Sequence, residues 1–342
     1  MNYKRINLLF FLIFLLCVFS ALSFCDVLNG LPQEQVFQSK NKNKNYKLCL
    51  QNYNQAISSQ NFNAALNSLE QAIGFATSNK KRYELFVMQG DTYLNIKQYA
   101  KSIEKYGLAI DLVPQEEVAK LKLAGVFETI ELYTRAQDVY FDVLTYNPKS
   151  FDAIYAIALS YFRDGLYTKA LDYFLKALSL RPQNDLYRKT ALCANYSGQS
   201  DLAVSLLENL TKNVRSYDDY FLMGELLTKK SEYKKSIAVL TDAINLDKEN
   251  GSAYLYIGIN YLLQNDVESA KKNFKLASQK LSNGALPHFF LAMIYNLQED
   301  NSKALAELSK ANELATSPVV KQYCEKLRIL IDFPSKKLSN AN

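Results

Sequence analysis

The sequence has no tryptophan, one histidine, five cysteines, seven prolines and eleven glycines in 342 residues. Each shortage excludes something. A lone histidine, His288, leaves no His-pair metal site and no HExxH zinc motif. Few glycines and prolines leave little room for the many tight turns of a β-sandwich or barrel. Phosphate-loop, dinucleotide and nucleophile-elbow motifs (GxxxxGK[ST], GxGxxG, GxSxG) are absent. Acidic neighbours such as Glu116-Glu117 and Asp218-Asp219 stand at expected helix starts, where negative charge is favourable by about 0.3–1 kcal/mol. The residues supply no catalytic constellation, so no enzyme, cofactor, metal or small-molecule substrate is expected. The formal net charge of +6 is interspersed rather than blocked, which argues against a nucleic-acid partner.

What is present is a hydrophobic fraction of 49%, with 24 tyrosines and 19 phenylalanines, arranged with helical periodicity. The clearest stretch runs from Phe151 to Asn184. Ile154, Ile157, Ala158 and Tyr161 recur at one helical spacing, and Ala170, Leu171, Phe174, Ala177 and Leu178 at another. Asp164-Gly165 separates the two runs and Pro182 follows the second, so each helix is stopped. The product is an αα-hairpin of about 34 residues, the size of one solenoid unit. A small residue opens the second helix of each hairpin, at Ala65, Ser102, Ala136, Ala170, Ala203, Ser236, Ala270 and Ala304, with gaps of 37, 34, 34, 33, 33, 34 and 34. Eight repeats result.

With its Ile154, Ala158, Tyr161, Ala170, Phe174, Ala177 and Pro182, the Phe151–Asn184 unit resembles the tetratricopeptide repeat, lacking only the usual first tryptophan. Phe86, Gly90, Tyr93, Tyr106, Ala109 and Pro114 repeat the pattern, as do Tyr254, Gly258, Tyr261, Phe274 and Ala277. The resemblance implies an all-α fold, a right-handed α-α superhelix of about eight helix-turn-helix repeats over residues 46–318. Small residues at Gly90, Ala124, Ala158, Gly224, Gly258 and Ala292 are expected to let helix A and helix B approach closely. His288 falls at the helix A packing position of Phe86, Ile154 and Tyr254. In an extended solenoid distant cysteines do not meet, so Cys49, Cys193 and Cys324 read as small buried hydrophobes without a disulfide framework. Val320, Tyr323, Leu327 and Leu330 mark a capping helix over 319–333, ahead of a frayed tail over 334–342.

The N-terminus differs in kind. Lys4 and Arg5 precede an apolar run from Leu8 to Phe19 and the small-residue segment Ser20-Ala21-Leu22-Ser23, the layout of a signal peptide over 1–23. Residues 24–45 read as a polar, flexible spacer. Leu22-Ser23-Phe24-Cys25 also resembles a bacterial lipobox, with Phe24 as the departure, so Cys25 is a candidate lipidation site. An exported, periplasmic or envelope-associated protein is expected, touching a membrane only through its signal or a lipid anchor.

The resemblance also places helix A on the concave face and implies a protein or peptide partner. Inward positions there are Tyr155, Leu159, Phe162, Arg188, Leu192, Phe221, Glu225, Leu255, Ile259, Leu262, Phe289 and Met293. Contiguous apolar surface of this kind marks an interaction site. The competing reading is that these residues pack on one another or under the C-terminal helix. Upstream, Asp91, Lys122 and Glu128 make the same face more mixed.

Overall fold

The computed structural model describes residues 33–210 and 212–332. Residues 1–23, Cys25 and the 334–342 tail lie outside the described residues. Within them the chain is all helical, with seventeen α-helices, one short 3-10 turn at Lys212–Val214 and no strand. In order these are α1 (Gln33–Ser58), α2 (Phe62–Phe75), α3 (Asn79–Asn95), α4 (Tyr99–Leu112), α5 (Glu117–Thr129), α6 (Tyr133–Tyr146), α7 (Phe151–Arg163), α8 (Tyr167–Leu180) and α9 (Asn184–Tyr196). Then follow α10 (Ser200–Glu208), α11 (Tyr217–Lys229), α12 (Tyr233–Leu246), α13 (Gly251–Leu263), α14 (Val267–Lys280), α15 (Ala285–Leu297), α16 (Asn301–Leu314) and α17 (Pro318–Asp332). Odd-numbered helices up to α15 are the A helices of eight hairpins, and even-numbered helices are their B partners. The chain divides into two compact units, Met1–Ala153 and Ile154–Asn342.

Every A helix ends in the same way. One residue per hairpin adopts positive φ: Gln60, Lys97, Glu131, Gly165, Gly198, Ser231, Asn265 and Glu299, each between 56° and 77°. Each stands five residues before the small residue that opens its B helix. The amide after it donates to the carbonyl five residues back, as in Asn61 to Ala56 at 2.8 Å, Leu166 to Tyr161 at 2.9 Å and Asp300 to Tyr295 at 3.0 Å. This is the Schellman arrangement, which satisfies carbonyls left over at a helix C-terminus. Glycine takes left-handed backbone without a Cβ penalty, yet only two of the eight sites have it.

The expected close approach of A and B helices is present. A Cβ placed on Gly90 would lie 2.4 Å from the Tyr106 ring, one on Gly224 2.4 Å from Leu240, and one on Gly258 2.6 Å from Phe274. Tyr106, Leu240 and Phe274 are fully buried, so none can step aside. Where helix B opens with serine, its hydroxyl donates to the glycine carbonyl it faces, Ser102 to Gly90 at 2.9 Å and Ser236 to Gly224 at 2.7 Å. Asn260 of the next repeat donates to the Ser236 hydroxyl at 2.9 Å and keeps this buried polar contact partnered.

Two further devices recur, one between successive repeats and one within single hairpins. The Tyr83 hydroxyl accepts the Ala119 amide at 3.0 Å, and the Tyr217 hydroxyl accepts the Ala253 amide at 3.2 Å. Each tyrosine thus satisfies an otherwise free amide in the first turn of the following A helix. The aromatic that closes helix A is covered by a cation eight residues later, in the first turn of helix B. Lys101 lies 5.4 Å from the Tyr93 ring, Arg135 6.0 Å from Phe127, Lys169 5.4 Å from Tyr161 and Lys303 5.7 Å from Tyr295. Such pairs contribute about 0.5–1 kcal/mol at exposed sites.

One boundary differs from expectation. The spacer assigned to 24–45 is helical from Gln33 onward, because its glutamine, lysine and asparagine run contains neither glycine nor proline after Pro32. Packing nevertheless begins near the expected place, since Tyr46 and Cys49 are buried while residues 40–45 are exposed. The terminal helix starts at Pro318 and ends at Asp332. No helix among the described residues is long and apolar enough to cross a membrane.

Candidate functional site

The positions expected to face inward recur on helix A at i, i+4 and i+7, one face of a helix. In the second unit that face carries Tyr155, Leu159 and Phe162 on α7, Arg188 and Leu192 on α9, and Phe221 and Glu225 on α11. Leu255, Ile259 and Leu262 continue it on α13, and Phe289 and Met293 on α15. Successive A helices touch directly, α11 with α13 and α15 with α17. Leu255 of α13 shares a core cluster with Leu291 and Ile294 of α15, so the face is continuous from α11 to α17.

The wall is half-buried rather than open. Leu255 is 8% exposed and sits in the core with Leu291 and Ile294, so it leaves the accessible set. The other eleven are intermediate. Rings cover one another: Phe162 lies edge-on to Tyr167 at 5.6 Å and to Phe174 at 6.3 Å. Tyr155 is 6.0 Å from Phe174. Phe221 stacks on Tyr217 at 5.8 Å and meets Tyr256 edge-on at 5.2 Å. Phe289 touches Phe290 at 5.8 Å and Tyr323 of α17 at 6.4 Å. Ile259, Leu262 and Met293 lean on the same core cluster. The wall residues thus pack partly on their neighbours and partly under α17.

Both charged candidates are already partnered. The Arg188 guanidinium donates to both Asp219 oxygens at 2.9 Å and to the Val214 carbonyl at 2.5 Å. Asp219 also accepts from the Ser216 amide at 2.8 Å, completing a capping box at the start of α11. Arg188 therefore locks α9 to the next repeat and is not a free anchor for a ligand. Glu225 is paired with Lys229 at 3.0 Å, one helical turn on. Lys189 pairs with Asp185. The wall is electrically neutral at its polar points and apolar elsewhere.

The first unit's face carries an ion pair between successive A helices. One Asp91 oxygen accepts the Tyr106 hydroxyl at 2.6 Å and the Lys122 ammonium at 2.8 Å. Burial, and then the neighbouring Asp91, pushes the Tyr106 hydroxyl above its ordinary range. On the same unit buried Lys120 meets Asp142 at 2.6 Å with its ammonium 4.0 Å from the Tyr146 ring.

Sequence reasoning placed Arg188 on the wall and Asp219 at a helix start, which the capping box bears out, but did not pair the two. A usable signal was present: Asp91 and Lys122, Arg188 and Asp219, and Glu249 and Lys280 are each 31 residues apart, nearly one repeat. His288 lies half-buried with Nδ1 2.5 Å from a Glu307 oxygen, between α15 and α16. Cys49, Cys193 and Cys324 are buried free thiols, and burial pushes Cys193 up to about 12. Among the described residues no cluster of three or more His, Cys, Asp or Glu is placed to hold a metal ion.

Two family models, both for the tetratricopeptide repeat, match residues 121–185 and 220–250. The BBSome complex member BBS4 homolog of Drosophila melanogaster is 23% identical over 201 residues, covering 57% of this chain and 41% of that protein. BBSome complex member BBS4 of Bos taurus is 22% identical over 231 residues, covering 66% and 44%. The aligned part thus spans about two fifths of the length of these relatives. Among solved structures, the C-terminal part of a TPR repeat-containing protein from Cytophaga hutchinsonii superposes with a TM-score of 0.54 at 15% identity, over 69% of this chain and 98% of that one. Steric pattern, hairpin fold and family match agree that the chain carries tetratricopeptide repeats, matched by the family models over residues 121–185 and 220–250.

Proposed function

We propose that this chain is a non-enzymatic protein-interaction scaffold that receives a partner's helix or extended segment along the A-helix wall of its second unit. The observation that carries the reading is the recurrence of half-buried apolar side chains at one wall position, Leu159, Leu192, Ile259 and Met293, interrupted only in α11 by Glu225, which like the charged groups beside the strip is paired internally. A neutral apolar strip is suited to apolar side chains and offers no free cation for a terminal carboxylate. Relatives named as members of a complex are in keeping with it. The setting belongs to the same proposal: residues 1–23 direct export, and the scaffold works in a bacterial envelope. The second reading is a lipid-anchored structural component of an envelope assembly complex, held by Cys25 and with no peptide ligand in the groove, favoured by the Leu22-Ser23-Phe24-Cys25 segment; a diacyl or triacyl mass on Cys25 distinguishes it from a soluble protein beginning at Phe24.

A photoreactive amino acid at Leu192 or Met293 tests the wall, with Leu246 on the exposed side of α12 as the comparison. The two wall sites are expected to give a discrete cross-linked adduct in the native cell, and the Leu246 site none. Equal labelling from Leu246, or no adduct from either wall site, would contradict the proposal.

A further inference from the structure

The terminal helix α17 carries one buried apolar stripe and a second, largely exposed stripe of three apolar residues and a lysine, of which Tyr323 also touches Phe289. Cys324, Leu327 and Ile331, with half-buried Val320, pack on the last hairpin. Cys324 and Leu327 lie 33 residues after Leu291 and Ile294, so α17 stands where the A helix of a ninth repeat would. The second stripe is Val319, Tyr323, Lys326 and Leu330. Their spacing of four, three and four is that of a coiled-coil seam. Val319, Tyr323 and Leu330 are 58%, 54% and 57% exposed. The other exposed positions of α17 are polar, Lys321, Gln322, Glu325 and Arg328, so its exposed apolar surface is this stripe with Ile329 beside it.

We infer that the occupant of the second stripe is the α17 helix of a second copy, laid antiparallel about a two-fold axis between Cys324 and Glu325. In that pairing Val319 meets Leu330 of the other copy, and Tyr323 meets Lys326 of the other copy. The pattern is self-complementary, as an isologous interface requires. Charge decides the direction: a parallel pair would set Lys326 against its own counterpart, whereas the antiparallel pair sets it over a tyrosine ring. The ammonium of Lys326 already lies 5.6 Å from the Tyr323 ring within one copy, so the contact is exchanged rather than created. Gln322 and Ile329 flank the seam and bring no like charge into it.

Sedimentation velocity of the full chain at increasing concentration tests this. The unmodified protein is expected to shift from monomer to dimer, and Val319→Lys and Leu330→Glu are each expected to remain monomeric with unchanged helical circular dichroism. Because the two positions face one another across the axis, the variant carrying both changes should dimerise again. Should either single variant lose helicity, Tyr323→Ser probes the same seam from an exposed position. An unmodified chain that stays monomeric, with the stripe covered by its own residues beyond 332 or by a different partner, overturns the inference. So do single variants that still dimerise, or a double variant that does not.

Discussion

The same face of the same kind of helix is finished differently in the two units. In the first, Asp91, Lys122 and Tyr106 close on one another and Lys120 is buried against Asp142, so the face is spent on holding its own repeats together. In the second, Leu159, Leu192, Ile259 and Met293 take the place of Asp91, with Glu225 there in α11, and charge is held in pairs such as Glu225 with Lys229 and Arg188 with Asp219. A repeat backbone fixes where a wall will be, and a few side chains decide whether it ties neighbours or is left for something else.

The comparison is broken most severely by changes both units share. Gly90→Val in the first and Gly224→Val in the second each force a Cβ into a buried side chain, and each is expected to cost about 3 kcal/mol in denaturant unfolding. An equal loss in both units would show that the hairpin geometry is common and only the wall differs. Asp91→Ala should cost about 1–3 kcal/mol, since it strands the buried Tyr106 hydroxyl, while leaving partner capture unchanged. Met293→Asp should do the reverse, abolishing capture with a smaller shift in the unfolding midpoint. Glu131→Gly, which puts glycine into a left-handed turn position, is expected to stabilise by up to about 1–2 kcal/mol. Gln98→Asp gives α4 the side-chain cap it lacks, with an expected gain of about 0.5–1 kcal/mol by the same measurement.

The period of the fold was legible because glycine or alanine opposite a large residue is a steric necessity repeated every hairpin, and sequence spacing reports it directly. The eight turns were legible only at Gly165 and Gly198. Elsewhere Lys97, Glu131 and Glu299 take the left-handed conformation, which composition does not announce because the packed helices on either side impose it. Wall positions were also readable from register, but their accessibility was not. Leu255 is covered by α15, and Arg188 is occupied by a residue one repeat away, facts that depend on how neighbouring helices lean together. The helical start at Gln33 was hidden by a polar run that resembles a spacer in composition yet contains no helix breaker.

Hydrogen exchange followed by mass spectrometry, with and without the partner captured through Met293, tests the central claim most directly. The account predicts added protection along α9, α11, α13 and α15 and unchanged exchange in α3 and α5 of the first unit. Protection concentrated on α3 and α5, or on the B helices of the second unit, would contradict it.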